Sequence, residues 1–380
     1  MATEAVPDPP ALRQARRRRL LDAMEAHDLD VLVLGRVANI RYASGVPILW
    51  NAGTRPFGPG CIVVRATDEV FLLSTWDEGV PEEIPRDHLY GITWNPMNYV
   101  SLLKDIAASA RPHRIGTDAM SPLFAQLLPM AFGDAEIVDA GPALRRARRT
   151  KTPEEVKAIR AAIDIAEDAL AVAVDELRSG GTERELTGTF MDAMASTGVT
   201  TPATQDVVRV TTPGTTEPRG RRTVRTGDLV SFDAGVVAAG YAGEVGRTWP
   251  ADLDEASPAV LDLYRRSDEL WDHLLDACRP GAPAAALLDA YPAAGEPLPA
   301  TPVARGIGLG FDDPVIVRDL PETAAAEMLD PGVVLVVTGV VTDDTVGSVV
   351  THEVILMTPE GPEMLTSSPF WHREHAGAPS

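Results

Sequence analysis

Cysteine is nearly absent: Cys61 and Cys278 are the two in a chain of 380 residues. That excludes a disulfide framework and a cysteine-built metal site, and a reducing, cytoplasmic setting fits. No apolar run approaches the roughly 18 residues that cross a bilayer, so no membrane partner is expected. The opening stretch MATEAVPDPP lacks the basic start and apolar centre of a signal peptide. Residues 1–10 are expected to form a disordered tail. Net positive charge is missing as well. A formal charge of −21 would be repelled by a phosphate backbone, which argues against nucleic acid as a partner. Two basic clusters, Arg13 with Arg16 to Arg19 and Arg145 to Lys151, read as solvated helix faces carrying surface ion pairs.

What is present is a globular composition, 45% apolar and 23% charged, in a length that suits two domains. Residues 11–27 carry the stripe of an amphipathic helix. LDVLVLG, GCIVVRA and EVFLLST read as strands, with HRIGTD and AEIVDA as shorter ones around a helix near SPLFAQLLPMAF. Strands alternating with helices predict an α/β domain over residues 11–149. The next boundary is sharp. Thr152, Pro153 and Glu155 form a capping box with proline at the first helical position, and Gly180 and Gly181 end the helix that follows. Thr182 and Glu185 open a second helix in the same way. DVVRV, DLVSFDAGVV, GVVLVVTGVV and SVVTHEVILMT then read as strands, with a third helix at PAVLDLYRRSDELWDHLLDAC. Helices followed by antiparallel strands predict an α+β domain over residues 150–370, with a tail at 371–380 that includes His372 and His375. The stretch GAPAAALLDAYPAAGEPLPATPV yields no conformation from its pattern.

Within SFDAGVVAAGYAGEVGRTW, Asp233 and Glu244 stand eleven positions apart across a glycine turn. Two carboxylates on adjacent strands can hold a metal, or split their pKa values and serve as acid and base.

These segments resemble the creatinase, Xaa-Pro aminopeptidase and prolidase family. The likeness runs through LDVLVLGRVANIRYASGV, RRTKTPEEVKAIRAAIDIAEDAL, GDLVSFDAG, GYAGEVGRTW, GIGLGFDDP, PGVVLVVTG and ILMTPEGPEMLT, in order, over roughly residues 12–368. The resemblance implies an α/β N-terminal domain, an α+β "pita-bread" C-terminal domain and a homodimer. The family's peptidases hold two metal ions on Asp, Asp, His, Glu and Glu. Carried over motif by motif, those positions are Asp233, Glu244, Arg305, Thr338 and His352, and a further family histidine falls on Asp312. Arginine has no acceptor lone pair and stays protonated. The expectation is therefore no dinuclear centre, and one ion on Asp233, Glu244 and His352 if any binds. The creatinase branch uses a histidine eleven residues before "GD", and that position is Thr216 here, so its mechanism does not carry over.

The expectation is a metal-independent enzyme with no cofactor, acting on a small polar metabolite. Hydrolysis of a C–N bond comes first, with a lyase or cyclase step in biosynthesis behind it. His352 is assigned as acid/base, with Glu244 and Asp233 as its acidic partners. Arg305, Thr338, Glu353, Asp312 and Trp50 are assigned to substrate binding, with Arg305 as the anion anchor, and Arg247 is read as structural. Two alternatives stand beside this: an Xaa-Pro peptidase-like hydrolase with a single metal ion, and an inactive pita-bread binding module whose charged residues only fill an abandoned metal cavity.

Overall fold

The computed structural model describes residues 7–47, 60–74, 77–93, 95–118, 121–204, 206–214, 218–252 and 256–372. Trp50, Thr216 and His375 lie outside the described residues. The chain divides into two compact units, residues 1–148 and 149–380. Among the described residues no helix is long and apolar enough to cross a membrane.

The first unit runs α1 (Pro10–Ala26), β1 (Val31–Leu34), α2 (Val37–Ser44), β2 (Cys61–Val64), β3 (Glu69–Leu73), β4 (Leu89–Tyr90), α3 (Pro96–Ala110), β5 (Arg114–Thr117), α4 (Pro122–Phe132), β6 (Glu136–Asp139) and α5 (Gly141–Arg149). The strands form one sheet in the order β4-β3-β2-β1-β5-β6, in which β1 is antiparallel to β2 and parallel to β5. β1 and β2 are buried throughout and read as continuous apolar runs, as central strands covered on both faces do. Val31, Val33, Ile62 and Val64 pack with Val100, Leu103 and Ile106 of α3 and Leu128 of α4.

Two expectations fail here for one reason. Asp8, placed in a disordered tail, is 2% exposed and ion-paired to both Arg16 and Arg41, at 2.6 and 2.5 Å. Arg16, placed on a solvated face, is fully buried. A buried charge persists when it is paired, and Arg41, far along the chain, completes a pairing that a local pattern does not show. Arg13 and Arg17 do form the expected surface pairs, with Glu83 and Asp68.

The second unit runs α6 (Pro153–Asp175), α7 (Glu183–Ser196), β7 (Val208–Val210), β8 (Leu229–Ala238), β9 (Tyr241–Pro250), α8 (Pro258–Ala277), α9 (Ala286–Ala293), β10 (Ala304–Gly308), β11 (Gly310–Ile316), α10 (Glu322–Ala325), β12 (Val334–Asp343), β13 (Gly347–Thr358) and β14 (Gly361–Met364). Its sheet has the order β11-β10-β12-β13-β9-β8-β7, with β14 on β13. Both capping boxes form, at Thr152/Glu155 and Thr182/Glu185. The stripe Ile159, Ala162, Ile163, Ala166, Leu170 and Ala173 of α6 is buried. β8 and β9 are joined by Ala239 and Gly240, both at positive φ (45° and 80°), the backbone of a tight two-residue hairpin.

Gly243 on β9 faces α6 so closely that an added Cβ would stand 2.3 Å from the Ala162 carbonyl carbon. Backbone cannot yield as a side chain tip can. Gly243→Ala should therefore cost about 1–3 kcal/mol or more by overpacking. Thermal unfolding measures this, and an unchanged midpoint would contradict the close approach.

Trp371 and His372, expected in a tail at 371–380, are packed. Trp371 is 5% exposed and packs on Tyr264 of α8. His372 stacks on Tyr264, and its Nε2 lies 2.8 Å from Asp268. Both cysteines are buried and free, and burial pushes each thiol up to about 12.

Candidate functional site

Strand register gathers the site. Asp233 on β8 lies opposite Gly246 on β9, and Gly246 lies opposite His352 on β13. His352 in turn faces Thr338 on β12, and Arg305 on β10 faces Val336 on β12. Glu244 is two residues from Gly246 on β9. Side chains alternate along strands, so Asp233, Glu244, His352, Thr338 and Arg305 share one face. Gly246 is small for cause: a Cβ there would stand 2.7 Å from the His352 Cβ.

The same alternation removes Glu353. It points to the opposite face, is 1% exposed, pairs with Arg247 at 2.9 Å and accepts a hydrogen bond from Thr366. Substrate binding by Glu353 is therefore corrected to a structural ion pair. Asp312 is held in an ion pair of its own. Its carboxylate meets Lys151 Nζ at 3.0 Å, with only 8% and 1% of their side chains exposed. The pairing also takes Lys151 out of the solvated basic cluster. Trp50 is outside the described residues.

Two ion pairs line the face. Arg305 Nη2 donates to Glu244 Oε2 in a short contact, with Glu244 fully buried. His352 Nδ1 lies 3.1 Å from Asp233 Oδ1, and about a third (36%) of the Asp233 side chain stays open to solvent. Burial pushes the Glu244 carboxyl above its ordinary range; Arg305 pulls the other way without cancelling it, and Asp233 adds to the rise. Burial alone would raise Asp233 too, but His352 opposite and Arg305 beyond it hold this carboxyl below the usual range. The imidazole of His352 would be lowered by burial, yet Asp233 holds it above its usual value. One carboxyl is thus pushed up and its neighbour down, the division that supplies an acid and a base in one pocket.

One atom is left over. Glu244 Oε1 is buried and has no hydrogen-bond partner among the described residues. An orphaned buried acceptor costs about 1–3 kcal/mol unless something fills it. Asp233, Glu244 and His352 each offer a ligand atom, and the three atoms lie within 4.8 Å of one another. A carboxylate–carboxylate–imidazole set suits one divalent transition ion. It does not suit two: the remaining positions hold Arg305, a fixed cation, and Thr338, a neutral hydroxyl.

Residues 157–359 match the model of metallopeptidase family M24, and residues 16–150 match the creatinase/prolidase N-terminal domain. The chain belongs to metallopeptidase family M24. Its second unit is the pita-bread domain of that family. Among relatives, an uncharacterized peptidase of Staphylococcus aureus is 26% identical over 246 residues, covering 62% of this chain and 66% of that protein, less than two thirds of its length. An Xaa-Pro dipeptidase of Lactobacillus helveticus is 28% identical over 171 residues, covering 44% of this chain and 46% of that protein. Among solved structures, an Xaa-Pro dipeptidase from Bacillus anthracis superposes with a TM-score of 0.74 at 18% identity, covering 94% of this chain and 98% of that one. The prolidase from Pyrococcus horikoshii gives 0.72 at 18% identity, covering 94% and 99%. At such identity these two speak for the fold.

The motifs place Asp233, Glu244, Arg305, Thr338 and His352 together, and strand register brings all five to one face. What they did not signal was Phe311. Its ring centroid lies 4.0 Å from Arg305 Cζ, with the side chain 60% exposed.

Proposed function

We propose that this M24 chain hydrolyses a peptide-like C–N bond in a small polar substrate, using one divalent ion held by Asp233, Glu244 and His352. The observation that carries this reading is the unpartnered Glu244 Oε1 inside a three-donor cluster. A metal ion so placed supplies Lewis acidity and lowers the pKa of water. The chain adds a fixed cation at Arg305, whose donors suit an oxygen that gains charge as the bond breaks. Asp233 orients the His352 ring through Nδ1. A small-molecule substrate, a homodimer and a cytoplasmic location go with this reading, the last two on the family resemblance and the scarcity of cysteine.

A second reading is metal-independent hydrolysis, or a lyase or cyclase step. The Arg305–Glu244 and His352–Asp233 contacts support it, since together they compensate both acids without an ion. In that case His352 exchanges a proton through Nε2, and Arg305 alone faces the developing charge.

Hydrolysis of an Xaa-Pro dipeptide panel separates the readings. EDTA is expected to abolish turnover and Mn²⁺ to restore it. His352→Ala and Glu244→Ala should each lower kcat/KM by about 100-fold or more, as loss of an ion-holding group does. Turnover that survives EDTA would move the assignment to the metal-independent mechanism. Ligand binding without turnover would make the domain a binding module.

A further inference from the structure

We infer that Thr248 and Tyr264 are positioning residues for the ion: their two hydroxyls replace one rung of the β9–β13 ladder and fix how far His352 stands from Glu244. The inference rests on the single-ion reading of this face and adds what sets its geometry. β9 carries Glu244 and β13 carries His352. Among the described residues these strands pair at one position, Gly246 opposite His352. Past that pair on the Glu244 side, β13 turns to β14, with Ile355 opposite Met364, and the Leu365 N–H donates to the Val354 carbonyl. What else joins β9 to β13 lies behind the sheet at Arg247 and on the other side of the pair, at Thr248 and Val350.

Two positions beyond Gly246 and His352, a regular antiparallel ladder would join Thr248 to Val350 by two backbone hydrogen bonds. Side chains make that rung instead. The Val350 N–H donates to Thr248 Oγ1 at 2.9 Å, and the same hydroxyl donates to the Val350 carbonyl at 3.1 Å. The Thr248 carbonyl, freed from Val350, accepts from the Tyr264 hydroxyl of α8 at 2.8 Å. A hydroxyl donates and accepts at once, so one Thr side chain satisfies both backbone groups of Val350. Inserted between the strands, it holds their backbones farther apart than a direct rung does. Thr248 and Tyr264 are both buried, with no open water to replace either. Trp371 and His372 stack on Tyr264 and hold its ring. Burial pushes its hydroxyl above the ordinary range, which keeps it a donor. His352 is two residues from Val350, and Glu244 is four from Thr248, so the spacing set here carries to both ligands.

Mn²⁺ titration of the full chain tests this, with the folding of each variant read by thermal unfolding. Thr248→Val keeps the volume and removes the hydroxyl. It should bind Mn²⁺ about tenfold or more weakly, the usual loss when a group behind a ligand is removed. Thr248→Ser keeps the hydroxyl and should bind as wild type does. Tyr264→Phe keeps the ring and its stack, removes the donor to the Thr248 carbonyl, and should weaken Mn²⁺ by about tenfold. It carries the test if Thr248→Val does not fold. Variants that lose unfolding temperature but bind Mn²⁺ like wild type would make the rung a stabilising contact only, and would overturn the inference. So would a Thr248→Ser chain as weak as Thr248→Val, since the hydroxyl would then not be the cause. A wild-type chain that binds no Mn²⁺ sinks the single-ion reading and the role of the rung with it. Wild-type binding with unchanged variants sinks the rung alone.

Discussion

If one ion binds as proposed, Arg305→His combined with Thr338→Glu should raise the number of divalent ions bound per chain from one to two. Both positions already lie on the right face. Thr338 stands directly across from His352 in the β12–β13 ladder, and Arg305 reaches Glu244 from β10. The substitutions supply the imidazole and carboxylate that the second ion lacks, and they release Glu244 Oε2 from the guanidinium. They also remove a repulsion. A unit charge about 4 Å from another is worth about 4 kcal/mol at an effective dielectric near 20, and a divalent ion doubles that. Each 1.4 kcal/mol is about tenfold in affinity, so Arg305→His alone should tighten the single ion by about 100-fold or more. Metal analysis after dialysis gives the stoichiometry, and Mn²⁺ titration gives the affinity. A double variant that still binds one ion would mean that strand spacing, and not the donor set, limits this centre.

What the sequence discloses about this site follows from how local each determinant is. The Thr152/Glu155 and Thr182/Glu185 capping boxes are written within four residues, and both form. Asp233 and Glu244 are brought together by a two-residue hairpin, so their proximity also follows from nearby residues. Arg305 is legible only through the family motif that contains it, because its partner Glu244 is 61 positions away. Glu353 shows the opposite case. It adjoins His352 in sequence, but the two-residue period of a strand sends it through the sheet to Arg247. Asp8, Lys151 and His372 each look like solvated charge in their own neighbourhoods. Each meets an acid or base farther along the chain, Asp8 with Arg41, Lys151 with Asp312 and His372 with Asp268, information that a local pattern does not contain. The proline- and alanine-rich stretch before Arg305 carries no conformation legible in its pattern, yet it holds α9, whose Tyr291 hydroxyl donates to the Thr338 carbonyl at 2.9 Å.

That far face of the sheet carries the second large effect. Arg247→Ala is expected to destabilise the fold by about 3–5 kcal/mol, because it leaves a buried carboxylate without its cation. Arg247 and Glu353 are 2% and 1% exposed. The same guanidinium donates to the Ser368 carbonyl at 2.7 Å and carries the Phe370 ring 4.2 Å from Cζ, so its loss also loosens the strap at 366–370. Removing both charges with Arg247→Met and Glu353→Gln should cost less than the single change, since no unpaired ion remains. Urea unfolding of the three variants forms the cycle; a single variant within about 1 kcal/mol of wild type would mean that Glu353 already folds protonated and uncharged. The effect should also reach the site. Among the described residues, β9 and β13 are paired at one position, His352 opposite Gly246. The Thr248 hydroxyl bridges both backbone groups of Val350 on one side of that pair. Arg247 Nη1 donates to the carbonyls of Gly246 and His352 themselves, at 2.8 and 3.3 Å. The guanidinium behind the sheet therefore holds together the two strands that present Glu244 and His352 in front of it. A folded Arg247→Lys chain, which keeps the charge but not the fork of donors, should bind Mn²⁺ more weakly than wild type by about tenfold.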